Sequence, residues 1–290
     1  MNKNLLFAAL AFIAASCTNE SGSGIDQART PVTVQVKGFE VSQEDIPQTR
    51  GTAVINYTSV KSLTLAFYKS DGTETYKHTQ LRADGTTYTT FGEFACSLPM
   101  GNYTMVVIGY CGTSPFTLTS PTLATCTDTR LQDNFVVTQP VVINSNTAVN
   151  LTATLDRVVS RLGIRSTDNR IAEAEKIRMT FTAGGRDFNP TTGLANTNTG
   201  FANTYTFSES AGVTVSAASF LFLASDEQTM NVTIETLDSE DNVLFTKVVN
   251  NVPFKRNRTT ILSGNLFTAE TNVSSITINS DWIDSYESDL

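Results

Sequence analysis

Three cysteines in the body of the chain, Cys96, Cys111 and Cys126, stand fifteen residues apart. That spacing is not the CxxC pattern of a zinc site, so a disulfide is the chemistry open to them. If "SLPMG" (Ser97–Gly101) turns one strand back on the next, Cys96 lies opposite roughly residue 103. Cys111 then falls about 27 Å further along the ladder at ~3.4 Å per residue, beyond the ~7 Å Cα separation that a disulfide tolerates. Cys111–Cys126 is therefore the candidate pair. It would close a Pro- and Thr-rich loop and stabilise by about 3 kcal/mol; the alternative is free thiols. His78, the sole histidine, lies in the alternating run "ETYKHTQL" and reads as a surface strand residue rather than a general base. "DSEDN" (Asp238–Asn242) clusters carboxylates as a calcium loop does. It lacks the sharp-turn glycine and the closing glutamate, and reads as a solvated turn. No phosphate loop, zinc helix or GxSxG elbow is present. The reading is non-enzymatic, with no cofactor and no metal. A surface hydrolase would need a close pair of buried carboxylates in a cleft.

A fourth cysteine, Cys17, ends a different pattern. Lys3 supplies a positive start, Leu5 to Ala15 form a short apolar run, and "TNESGSG" follows the cysteine. The run is too short for an ordinary transmembrane helix and reads as a secretion signal. Small residues lead up to the cysteine in Ala14-Ala15-Ser16-Cys17, which resembles a bacterial lipobox. There the thiol takes a diacylglycerol and becomes the new N-terminus. Several acyl chains anchor far more firmly than one, since each buried CH₂ contributes about 0.8 kcal/mol. The expected layout is a signal peptide over 1–16 and a lipidated flexible tether over 17–30.

The chain carries 20 Lys plus Arg against 28 Asp plus Glu, a net charge of −8. Such a chain is a poor nucleic-acid binder. Its one basic knot, "FKRNR" (Phe254–Arg258), is flanked by strand-like residues and reads as a solvated strand start. Period-2 alternation recurs along the chain, in "PVTVQVKGF" (Val32, Val34, Val36), "SLTLAFY" (Leu63, Leu65, Phe67), "TMNVTIETL" and "SSITIN". Asp-Gly pairs at Asp71-Gly72 and Asp84-Gly85 mark turns between strands. Antiparallel β-structure is the consequence. One stretch, "LDRVVSRLGIRS", places Leu155, Val158, Val159 and Leu162 at helical spacing and predicts a short helix. The all-β chain is thus expected to form two β-sandwich domains, over 31–149 and 150–290, of about seven strands each. No sequence repeat is visible, so any duplication is one of structure.

Several of these pieces, in order, resemble the fimbrillin superfamily, the lipoprotein precursors of pilus stalk, tip and anchor subunits. They are the lipobox Cys17, "LPMGNYTMVVIGY", "LDRVVSRLGI" and "NRTTILSGNLF" (Asn257–Phe267). The resemblance implies two transthyretin-like domains, an outer-membrane or fimbrial location, and a structural or adhesive role without catalysis. The implied partners are other fimbrial subunits, the outer membrane through lipid, and a host or bacterial surface receptor. It also implies assembly by strand exchange, in which an arginine-specific protease removes the first strand and a neighbour's strand fills the groove. Mapped onto this chain, the removable strand is "VTVQV". The candidate cut is Arg50, with Arg29 a second position. The candidate donor strand carries Ile276, Ile278 and Trp282. The alternatives are a pilus anchor that keeps its lipid and a glycan-binding surface lipoprotein, the latter requiring coplanar exposed aromatic rings.

Overall fold

The computed structural model describes residues 28–40, 52–53, 58–82, 90–269 and 273–279. Among these are twenty strands and no helix. The first ten are β1 (Arg29–Glu40), β2 (Thr52–Ala53), β3 (Ser62–Lys69), β4 (Glu74–Leu81), β5 (Glu93–Pro99), β6 (Gly101–Tyr110), β7 (Thr117–Ser120), β8 (Leu123–Thr125), β9 (Asn134–Ile143) and β10 (Val149–Arg157). The second ten are β11 (Ser160–Ser166), β12 (Lys176–Phe181), β13 (Asp187–Asn189), β14 (Leu194–Ala195), β15 (Phe201–Thr206), β16 (Ser216–Leu221), β17 (Glu227–Leu237), β18 (Val243–Lys255), β19 (Thr259–Gly264) and β20 (Val273–Asn279).

Two sets of strands repeat one topology. In the first set, β1 lies between antiparallel β5 and parallel β10, and the facing layer runs β4-β3-β6-β9. In the second, β11 lies between antiparallel β16 and parallel β19, and the facing layer runs β15-β12-β17-β18. Each pair of layers encloses its own apolar core. In the first set the layers remain one hydrogen-bonded sheet, bent where β10 meets β9 through two register pairs only, Asp156↔Val136 and Arg157↔Phe135. On the opposite side, Gln80 closes β4 against β5. Its amide nitrogen donates to Glu93 O at 2.7 Å and its oxygen accepts from Gly92 N at 2.8 Å.

Alternation accounts for the cores. Leu63, Leu65 and Phe67 face the first core, with Val32, Val34 and Val36 opposite. The other face of β3 and β6 is buried too: Ala66, Tyr68, Val106, Ile108 and Tyr110 pack on Phe116, Phe188 and Phe222 in a third cluster shared by both sets. The strands β7-β8 and β13-β14, inserted at different points of the two sets, pair through β8 and β13 into one four-stranded sheet. That small sheet stitches the halves together beside the shared cluster.

Two expectations are corrected. "LDRVVSRLGIRS" is not a helix: β10 ends at Arg157 and β11 begins at Ser160. Its four helically spaced residues go to three different cores, Leu155 to the first, Val158 and Val159 to the shared cluster, and Leu162 to the second. Strand pairing on either side of the link satisfies the backbone that a helix would have satisfied internally. "SLPMG" is not a hairpin turn either. β5 pairs with β1, and β6 pairs with β3 and β9, so the chain arches from one layer to the other at Pro99–Gly101, where Tyr103 Oη donates to Pro99 O at 2.8 Å. β10 (Val149–Arg157) pairs along β1 in the first set of strands.

Candidate functional site

Strand β1 is the element on which strand exchange would act. Val32, Val34, Val36 and Phe39 turn inward and are buried, while Pro31, Thr33, Gln35 and Lys37 face out. The strand is hydrogen-bonded on both sides. Arg29 to Gln35 pair with Pro99 to Glu93 of β5, and Val32 to Glu40 pair with Val149 to Asp156 of β10. At its start Thr30 Oγ1 donates to Ser145 O at 2.7 Å and Arg29 Nη1 donates to Ser97 O at 3.3 Å. At its end the Phe39 ring meets the Phe135 ring at 4.8 Å. Gly109 lies beneath: a Cβ there would stand 2.9 Å from Phe39 Cε1. Lifting β1 out would leave a trough between β5 and β10, walled by unpaired backbone groups and floored by Leu63, Leu65, Phe94 and Leu155.

The other residues singled out in the sequence are distributed as follows. Cys17, Arg50 and Trp282 lie outside the described residues. Arg29 is exposed at the first position of β1. Ile276 and Ile278 stand on β20, opposite Leu262 and Thr260 of β19, so β20 completes the edge of its own sheet. The Cys111–Cys126 disulfide is not formed: the three described cysteines carry unbridged thiols. Cys111 packs against the first core and Cys126 against the shared cluster. Tyr110 reaches between them, with Oη 3.5 Å from Cys126 Sγ. Burial, and then the neighbouring Cys126, push the Tyr110 phenol up; burial pushes the Cys96 thiol up to about 11, which keeps it protonated at neutral pH.

His78 is exposed on β4, with its ring 6.2 Å from that of Phe94. The 238–242 stretch is the tip of the β17–β18 hairpin. Asp238 Oδ1 accepts from Glu240 N and Asn242 N, both at 2.9 Å, and Lys176 Nζ reaches Asp241 Oδ1 at 2.8 Å. Hydrogen bonds from Asn242 hold the Asp238 carboxyl below its ordinary value. The stacked pair Phe188–Phe222, 4.5 Å between centroids, is fully buried and offers no sugar platform.

Of two further features, the first has no counterpart in the sequence reading and the second departs from it. At the bend between β9 and β10, the Arg157 guanidinium donates through Nε to both Asp133 carboxylate oxygens at 3.0 Å, and both side chains are buried. The basic knot forms the turn from β18 to β19, where Arg258 is buried rather than solvated. This turn helps to wall a cleft of about 570 Å³ between the two halves. The run of three cations in five residues was its only signal in sequence.

A family model described as "Family of unknown function (DUF6562)" matches residues 26–289. The chain belongs to that family. The match spans both sets of strands, so the family unit is the pair with its shared cluster. No curated protein matches the chain. Among solved structures, the fimbrial anchor protein Mfa2 from Porphyromonas gingivalis is similar at a TM-score of 0.51 and 12% identity, covering 87% of this chain and 98% of that one. A candidate polysaccharide-binding protein from Bacteroides thetaiotaomicron has a TM-score of 0.49 at 11% identity, covering 87% and 96%. A candidate adhesin from Bacteroides ovatus has 0.48 at 12% identity, covering 78% and 80%. The resemblance to fimbrial proteins holds at the level of the fold.

Proposed function

We propose that this protein is a structural or adhesive subunit of a surface fibre, exported as a lipoprotein through Cys17 and assembled by strand exchange. Its two units are then transthyretin-like domains, and its partners are other subunits of the fibre. The observation that carries this reading is the position of β1. It is a central strand with four inward apolar side chains, Val32, Val34, Val36 and Phe39, and in sequence it lies between Arg29 and Arg50. A cut at Arg50 frees it from the rest of the chain. The trough left behind exposes apolar surface and two rows of backbone groups, which a strand from a neighbouring subunit satisfies together. β20, an edge strand, is the candidate donor. The fold shared with a fimbrial anchor protein supports a role in a surface fibre.

The test is limited digestion of the purified chain with an arginine-specific protease. Cleavage at Arg50 is expected to yield concentration-dependent, SDS-resistant oligomers, and Arg50→Ala to abolish them. Cleavage without oligomers overturns strand exchange. A chain that stays uncut and lipidated at the cell surface assigns the anchor role instead.

A further inference from the structure

Each unit has two layers, and so two flanks where a strand of one layer lies beside a strand of the other. Three of the four flanks are closed among the described residues. Gln80 joins β4 to β5. Asn203 Nδ2 donates to Ser219 Oγ at 2.7 Å and joins β15 to β16. β20 pairs antiparallel along β19, from Thr259 to Gly264, on the flank beside β18. The fourth flank is that of β9 and β10. β10 stands to β1 as β19 stands to β11, yet no described strand lies where the counterpart of β20 would lie. β9 reaches β10 only at Asp156 and Arg157.

β10 therefore presents a sheet edge. Val158 N donates to Asn134 O at 3.2 Å, and the same ladder continues through Asp156↔Val136. Alternation then directs the N–H and C=O groups of Asn150, Thr152 and Thr154 away from β1. These groups have no strand partner among the described residues. The run Val149–Leu155 holds no charge, no proline and no glycine, the devices that keep sheet edges apart. β9 has such a device: Pro140 falls at one of its own outward positions and offers no N–H. Apolar surface accompanies the β10 edge. Val149 and Leu151 point toward the first core but are only half-buried, whereas Ala153 and Leu155 are buried.

We propose that β10 pairs antiparallel with β10 of a second copy of this chain, across a two-fold axis at Thr152. The run is self-complementary about that residue. Thr152 faces its own copy, Asn150 faces Thr154, and Val149 faces Leu155. Among the registers that bring the outward groups together, this one pairs the whole run. Leu155 and Ala153 of the second copy cover Val149 and Leu151. No like charges meet, since Asp156 falls opposite Ala148. The layers of two copies become one continuous sheet, and the isologous contact closes at two. An edge of this length is smaller than a standard interface, so the dimer is reversible. It requires neither cleavage nor β20, and so goes beyond strand exchange.

The test is sedimentation analysis of the uncut full chain over a concentration series up to its solubility limit. Wild type is expected to pass reversibly from monomer to dimer and no further. Thr152→Lys and Thr152→Glu each set like charges opposite one another. Each alone is expected to stay monomeric with an unchanged melting temperature, because Thr152 is exposed. An equimolar mixture of the two is expected to regain the dimer. Mild oxidation is expected to link Thr152→Cys into a covalent dimer, with wild type, which keeps its own thiols, as background. Thr154→Cys is expected to stay at background: its two copies stand about 14 Å apart at ~3.4 Å per residue, beyond the ~7 Å reach of a disulfide. A wild type that is monomeric throughout, open-ended oligomers, or a dimer indifferent to Thr152→Lys each overturns the proposal. So does a mixture that stays monomeric, or linkage of Thr154→Cys as ready as that of Thr152→Cys. The non-covalent dimer forms without cleavage and is expected to dissociate in SDS, so its outcome is distinct from that of the strand-exchange test.

Discussion

Asp133 and Arg157 meet where β9 bends toward β10, with side-chain exposures of 6% and 0%. Nε and Nη2 of the arginine both reach the carboxylate, its face lies 5.0 Å from the Phe135 ring, and Asn134 N donates to Asp133 Oδ1 at 2.9 Å. A buried pair of this kind contributes little net stability over a well-packed apolar pair, but removing one partner leaves a charge without water. Asp133→Ala is therefore expected to destabilise by about 3–5 kcal/mol, read from urea denaturation, whereas a surface pair such as Lys77–Glu74 is worth under about 1 kcal/mol. The cysteines teach a related lesson. Neither their count nor their spacing could say that Cys111 and Cys126 belong to different packing clusters on either side of Tyr110.

At the scale of the element, β1 and the link from β10 to β11 show what alternation reveals and what it hides. "PVTVQV" alternates cleanly, and its valines are buried as expected. Gly109, on the facing strand β6, is the position that admits the Phe39 ring. Gly109→Ala is expected to force that ring aside and cost about 1–3 kcal/mol as overpacking, with the double variant Gly109→Ala/Phe39→Leu recovering part of the loss in thermal melts. Helical spacing in the link does not make a helix because three packing surfaces follow one another within eight residues, Leu155 to Leu162. A period of 3.6 in sequence is a statement about one face. Here the same spacing served three faces in turn, and β-branched Val158 and Val159 suit the extended chain.

The whole molecule is a duplicated seven-strand topology whose copies are not independent. Phe116, Phe188 and Phe222 come from three segments and pack with Tyr110 at ring distances of 4.5 to 6.0 Å. The pairing of β8 with β13 adds backbone bonds between the halves. Wild-type protein is therefore expected to unfold in a single calorimetric transition. Phe222→Ala is expected to cost about 3–5 kcal/mol and to split that transition in two, as each unit retains its own core. Two resolved transitions in the wild type would show that the shared cluster does not couple the units.

Strand content, the inward face of β1, the β3–β4 turn at Asp71-Gly72 and the β17–β18 hairpin tip were legible in the amino-acid sequence, because each depends on local alternation and turn chemistry. The partner of β5, the fate of the cysteines, the duplicated topology and the cleft between the halves were decided by the tertiary structure alone. Each depends on which surfaces meet after the chain has turned: β5 arches away to β1 rather than folding back on β6, and the lining of the cleft comes from segments about 120 residues apart. Sequence spacing carries the period of a strand but not the identity of the strand beside it, since hydrogen-bonded backbone is the same for every partner.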